Sequence, residues 1–185
     1  MATLEYTTVC SLDGYVADAA GNFDWAEPDA EVHAFVNDRE RSVGTYLYGR
    51  RLYETMRVWQ EEPLPFGGEP VVDEYATIWR AADKIVWSTT LPEVTTPRTT
   101  LRRRVDPAEV TAVKQAATAP LGVGGATLAA TFLRAGLVDA IGMYLVPVVV
   151  GGGLRALPHD VRLDLDLQEV HRFAGGTVFL RHAVR

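Results

Sequence analysis

Residues 119–136, APLGVGGATLAATFLRAG, read as a short buried strand, a turn of two adjacent glycines and a helix that stops at Gly136. Leu121 and Val123 supply the apolar strand end, while Gly124 and Gly125 allow a backbone to approach something bulky. Leu128, Thr131, Phe132 and Ala135 then recur at three- and four-residue spacing, the mark of one buried helix face. Thr127 falls in the first turn. A helix start carries unpaired N–H groups and a partial positive charge, so it can seat a phosphate. Alone, such a turn is equally well a tight connection with no ligand. What gives it weight is the company it keeps.

Upstream, Leu4 to Ser11 is rich in Thr, Tyr and Val and suits a buried first strand. It runs into a long loop, SLDGYVADAAGNFDW, with turn signals at Asp13-Gly14 and Gly21-Asn22 around Val16-Ala17. Pro28 fits the first turn of a helix whose inward stripe is Val32, Phe35 and Val36. Thr45 to Gly49 is a strand that ends on glycine, and RRLYETM resumes as a helix, a second junction of the same kind. Gln60 to Pro70 is a proline- and glycine-rich loop, and Val72 to Ala82 is helical by pattern. Lys84 to Ser88 is a third strand, Thr99 to Val105 an outer strand, and Asp106-Pro107-Ala108-Glu109 a capped helix start. Strands followed by helices pair in parallel.

Downstream of Gly136 the pattern changes. Val138 to Val150 is apolar without helical period and breaks at Gly151-Gly152-Gly153. Leu163, Leu165 and Leu167 alternate with polar residues, and Gly175-Gly176 turns the chain back into Thr177 to Val184, a closing hairpin. The expected architecture is α/β: a mostly parallel sheet flanked by helices, finished by antiparallel strands, in one domain over residues 1–185.

Composition excludes several classes. A hydrophobic fraction of 48% and a charged fraction of 23% are those of a globular chain, and a net charge of −6 argues against a nucleic-acid surface. No run reaches membrane-spanning length. The single cysteine, Cys10, cannot form an internal disulfide, so a reducing cytoplasm is the expected setting, and Cys10 reads as a buried apolar residue. The four histidines lack metal-ligand spacing, so no metal is expected.

Four segments point at one ligand. The Val16-Ala17 loop, the YGRR junction, the WSTT strand end and the GVGGAT turn all follow the carboxyl ends of expected strands, the edge where open α/β sheets bind nucleotides. Arg50 and Arg51 at a helix start, with the hydroxyls of Ser88, Thr89 and Thr90, suit a phosphate on a ribose.

The pieces SLDGYVA, GNFDW, YGRRLYETM, VWSTTL, VGGATLA and AGLVDAIGMYLVPVVVGGG, with the closing hairpin, occur in an order that covers nearly the whole chain. In that order and spacing the chain resembles the dihydrofolate reductase superfamily. It is most similar to the reductase domain of bifunctional riboflavin-biosynthesis deaminase-reductases, without the deaminase's zinc signature. The resemblance implies a dihydrofolate-reductase-like fold, NADPH as cofactor, and hydride transfer to a small heterocyclic substrate of pterin or pyrimidinone-ribosyl type. Val16 and Ala17 match positions beside the nicotinamide, and Trp25 matches the tryptophan closing that loop. Gly49, Arg50 and Arg51 match the junction for the adenosine-side phosphates, while Ser88 and Thr89 match the hydroxyls near the ribose 2′-phosphate. Val123, Gly124, Gly125, Ala126, Thr127 and Leu128 match the pyrophosphate turn. In dihydrofolate reductases an acid follows the loop tryptophan by a fixed step. Here that step falls on Ala30, so Asp29 is the catalytic candidate only if the alignment slips by one, with Glu31 as the other neighbour. Ala30 keeps a second reading open, a catalytically silent nucleotide-binding or ligand-sequestering protein.

The apolar faces of Val138 to Val150 raise one further expectation. Such a strand is either central or covered by another chain. A homodimer through the C-terminal strands is expected, in line with the sheet pairing that the resemblance implies.

Overall fold

The computed structural model describes residues 1–185. Its strands are β1 (Leu4–Ser11), β2 (Tyr15–Ala17), β3 (Thr45–Gly49), β4 (Asp83–Trp87), β5 (Thr99–Arg102), β6 (Leu121–Gly124), β7 (Ala140–Val146), β8 (Leu154–Arg155), β9 (Leu165–Arg172) and β10 (Val178–Val184). The helices are α1 (Ala30–Glu40), α2 (Arg50–Met56), α3 (Pro70–Ala81), α4 (Pro107–Ala116) and α5 (Ala126–Arg134). Eight strands form one sheet in the order β5-β4-β3-β6-β1-β7-β10-β9, and β2 pairs with β8 apart from it. All pairings from β5 to β7 are parallel, whereas β10 runs antiparallel to both its neighbours. The mostly parallel sheet with a C-terminal hairpin is therefore the observed architecture, and it lines up the carboxyl ends of β1, β3, β4 and β6 along one edge.

Alternation along the strands separates the two faces. Leu4, Tyr6, Leu47, Leu121, Val123 and Ile141 pack with Val110 of α4 and with Leu128, Ala129, Phe132 and Leu133 of α5. Phe132 is fully buried and meets Trp87 edge-on. The opposite face holds two separate clusters. Tyr46, Tyr48 and Val86 pack with Tyr53 and Trp79, while Tyr144, Phe173 and Phe179 pack with Val32 of α1. Between these clusters the strands present Glu5, Thr7 and several glycines rather than apolar side chains, and these residues line a cleft there.

Some boundaries differ from the expectation. Pro28 lies outside α1, because Asp29 takes the cap: its Oδ1 accepts the Val32 N–H at 2.9 Å. The outer strand stops at Arg102, and the stretch 138–150 contributes only Ala140–Val146 to the sheet. β7 lies between β1 and β10, and its Ile141 and Tyr144 pack into clusters on opposite faces within this chain, so the strand gives no argument for a second copy. No helix is long and apolar enough to cross a membrane.

Candidate functional site

The register pairs Tyr48 of β3 with Gly124 of β6, which sets the starts of α2 and α5 side by side at the carboxyl edge. Neither helix has a side-chain cap, unlike α1 and α4, so their first N–H groups are left without side-chain partners beside the cleft that Gly49, Arg50, Arg51, Gly124, Gly125, Ala126, Thr127 and Leu128 line. The two glycines of the turn have different reasons. Gly125 has φ +89°, a conformation that side chains rarely adopt. At Gly124 a Cβ would sit 2.4 Å from Leu52 Cδ2 and 2.9 Å from the Tyr48 ring, so this glycine is dictated by the fit of α2 against the sheet.

The hydroxyls at the end of β4 divide. Ser88 is 8% exposed and lies outside the cleft lining, because its Oγ accepts the N–H groups of Thr90 and Leu91 at 3.2 and 2.8 Å. It shapes the turn as an acceptor, and its O–H makes no hydrogen bond within the chain. Thr89 is exposed and also off the cleft. Thr90 does line it and accepts a hydrogen bond from Arg50 Nη1 at 2.8 Å. Arg50 Nε is paired with Glu54 at 2.9 Å, whereas Arg51, exposed at the same turn, has no carboxylate partner. Trp87, which the sequence did not single out, lines the cleft with a buried indole N–H that has no partner.

Val16 and Ala17 reach the cleft through β2, which is held by a distant loop. Asp13 accepts the N–H groups of Val150 and Gly151 at 3.2 and 2.8 Å, and Leu12 donates to the Val148 carbonyl at 2.8 Å. The Ser11 hydroxyl and these N–H groups hold the Asp13 carboxyl below its usual range. Gly153 completes the contact, since a Cβ there would lie 2.1 Å from the Ala17 carbonyl oxygen. Trp25 lines a smaller pocket of about 230 Å³ with Asp29, Val9 and Tyr144, beside the main cleft. Asp29 is absent from the lining of the larger cavity and spends one oxygen on its cap. Glu31 accepts the Ala174 N–H at 2.9 Å, so both neighbours of Ala30 have structural partners.

The cleft continues without a break beneath α1, giving one cavity of about 2270 Å³. A single small-molecule site occupies roughly 300–1,000 Å³, so this volume accommodates two ligands. The inner part is lined by Glu5, Val36, Arg39, Glu40, Tyr46, Tyr48, Tyr75, Tyr144, Glu169 and Arg181. Sequence reading missed this group. Its available signal was charge in the wrong place: Glu5 and Arg181 sit inside otherwise uncharged strand stretches. No group of three or more His, Cys, Asp or Glu side chains is placed to hold a metal ion. Cys10 is fully buried and its thiol is pushed up to about 11 by burial, which leaves it unreactive at neutral pH.

Comparison with known proteins agrees with this architecture. The sequence model of the RibD C-terminal domain matches residues 2–179. The uncharacterized protein YyaP of Bacillus subtilis (strain 168) is 29% identical over 176 residues, spanning 91% of this chain and 87% of that protein. Among solved structures, a putative riboflavin biosynthesis protein from Shewanella sp. PV-4 superposes with a TM-score of 0.77 at 18% identity, covering 99% of both chains. A diaminohydroxyphosphoribosylaminopyrimidine deaminase/5-amino-6-(5-phosphoribosylamino)uracil reductase from Thermotoga maritima gives 0.67 at 15% identity, with all of this chain spanning 57% of that one. A pyrimidine reductase-like protein from Corynebacterium diphtheriae gives 0.66 at 11% identity, covering all of this chain and 92% of that one. With the fold shared at this level and the sequence match running almost end to end, the chain belongs to the RibD C-terminal domain family.

Proposed function

We propose that this chain is an NADPH-dependent reductase that transfers a hydride to a small heterocyclic acceptor, of pterin or pyrimidinone-ribosyl type. One observation carries the reading: a single cavity joins two adjacent helix starts without side-chain caps to an aromatic and carboxylate-lined chamber. The residues present fit the cofactor. Gly125 and the first turn of α5 would hold the pyrophosphate, Arg51, Arg50 and Thr90 the ribose phosphate, and Val16 and Ala17 the nicotinamide side. NADPH supplies the hydride when bound. The β2–β8 contact fixes the loop over that end, and the side chains beneath α1 orient the acceptor.

A second reading, a silent nucleotide-binding or sequestering protein, is favoured by Ala30 at the expected acid position and by the structural engagement of Asp29 and Glu31. NADPH oxidation followed by absorbance, against a panel of pterins and aminopyrimidinones, separates the two. Consumption with at least one acceptor is the expected result. Binding of NADPH by calorimetry without turnover on any acceptor would favour the second reading, and no binding at all would remove both.

Asp29→Asn tests the acid. Asparagine caps a helix as well as aspartate does. The expected result is an unchanged melting temperature and turnover within a few-fold, whereas losing a general acid costs ~10²–10⁴-fold. The homodimer through the C-terminal strands is retained in this proposal, resting on the outer face of the last hairpin rather than on the apolar faces of β7.

A further inference from the structure

The inner chamber holds more charge than a pocket for a flat ring requires, and that charge is already paired. Arg39 Nη1 donates to Glu169 Oε2 at 2.8 Å, its Nη2 approaches Glu5 Oε1 at 3.4 Å, and its guanidinium lies 4.5 Å from the Phe179 ring centre. Arg181 Nε donates to Glu5 Oε2 at 2.8 Å. Gly142 makes room for this arrangement, because a Cβ there would come within 3.1 Å of both Glu5 Oε1 and Thr7 Oγ1. Two carboxylates thus balance two guanidinium groups. Glu40 is left over, with no cationic partner among the chain's ion pairs and a carboxyl whose pKa burial raises.

Beside Glu40 stands Tyr46. It is 4% exposed, and its hydroxyl has no hydrogen-bond partner. Glu40 is close enough to influence that phenol, but the two lie outside ordinary hydrogen-bond geometry. A buried hydroxyl left without a partner costs stability, which a polar ligand atom would recover. The Tyr46 and Tyr48 rings are parallel within 7° at 5.5 Å and form one wall, with Tyr75 and Tyr144 also in the lining.

We propose that this chamber seats the far end of the hydride acceptor and selects an unphosphorylated, amino-bearing nitrogen heterocycle over its phosphorylated counterpart. The inference rests on the reductase reading and narrows it. A phosphate dianion is recognised by guanidinium groups free to donate in pairs. Here Arg39 is held by Glu169 and Glu5, Arg181 is held by Glu5 through Nε, and with Glu40 three carboxyl groups face two guanidinium groups, so the chamber offers no net positive charge to a dianion. An exocyclic amine, in contrast, finds acceptors at Glu40 and Tyr46 while aromatic side chains contact the ring.

The test uses the full chain loaded with NADPH. Calorimetry compares 5-amino-6-(5-phosphoribosylamino)uracil, the compound named in the activity of the Thermotoga maritima protein, with its dephosphorylated form. The dephosphorylated compound should bind at least about tenfold tighter, as expected for a charge-assisted hydrogen-bond difference. Glu40→Gln should weaken it about tenfold while NADPH affinity stays unchanged. Glu5→Gln, which removes one of the facing carboxylates and releases Arg181 while Arg39 stays on Glu169, should narrow the preference, with thermal melts confirming that each variant is folded. Equal or tighter binding of the phosphorylated compound overturns the inference, as does binding of neither compound to protein that holds NADPH. Failure to bind NADPH strikes instead at the reductase reading itself.

Discussion

Arg50 and Arg51 are neighbours on one helix turn, yet they are held differently. Arg50 is tied to Glu54 and Thr90, and Arg51 is unpaired. A charge-assisted hydrogen bond contributes about 1.5–3 kcal/mol. Arg51→Ala should therefore weaken NADPH binding by about tenfold or more and leave NADH nearly unaffected, with the larger effect at Arg51 than at Arg50. Calorimetry with both cofactors checks this, and equal affinity of the wild type for the two would refute it. Lys84 offers a test away from the site. It is buried, its Nζ donates to the Ala82 carbonyl at 2.9 Å and lies 4.1 Å from the Trp79 ring centre, and burial pulls its pKa from 10.5 to about 8. Between those values the unfolded chain binds the proton and the folded chain does not, so stability rises with pH across that window. Relative to Lys84→Met, the wild type should gain up to about 3 kcal/mol between pH 8 and 10.5. Urea melts at both ends measure it; a constant difference would show that the lysine is not perturbed.

At the scale of elements, the strand-glycine-helix junctions were legible because each is local: a hydrophobic run, a glycine, then a new period. The pinning of the first loop was not. Gly151-Gly152-Gly153 reads as a break in a strand, yet Asp13 reaches Val150 and Gly151 across more than 130 positions, and Gly153 abuts Ala17. Gly153→Ala should push β2 off its seat, lower the melting temperature and weaken NADPH binding about tenfold, by loss of one ordered contact surface. Calorimetry beside thermal melts reads both. Unchanged affinity would mean that the loop does not form the cofactor site. The same scale explains Ser88, whose hydroxyl was expected at a ribose phosphate. The Ser88 oxygen accepts two N–H groups of its own turn, so that turn fixes its position, and its O–H alone is left to donate.

For the whole molecule, the register of the last hairpin matters most. It shifts between Arg181 and His182, so that Leu167 pairs with His182 and Val170 with Leu180, which places Leu167 and Val170 on one face. Leu180 pairs in turn with Met143, giving an apolar row across β7, β10 and β9 whose outer members stay uncovered. Leu167 and Val170 are 56% and 57% exposed. This is the surface on which the proposed homodimer would form, since a two-fold pairing covers the same patch on both copies. Light scattering after size exclusion should give twice the 20.3 kDa of one chain. The double variant Leu167→Lys, Val170→Lys should run as a folded monomer. A wild type of one-chain mass would retire the dimer.

The amino-acid sequence by itself determined the order of strands and helices, their parallel pairing and the glycine turn at the carboxyl edge. Those follow from periodicity, caps and turn residues within about ten positions of one another. Only the tertiary structure decided that Gly124 serves packing against Leu52, that Asp29 lies off the main cavity, and that β7 is interior. It alone assembled Glu5, Arg39, Glu169 and Arg181 beneath α1. Glu5 and Arg181 are 176 positions apart, and they meet because β7, contributing only Gly142 between them, separates their strands in the sheet. No local pattern encodes that meeting, for it depends on strand order and register together.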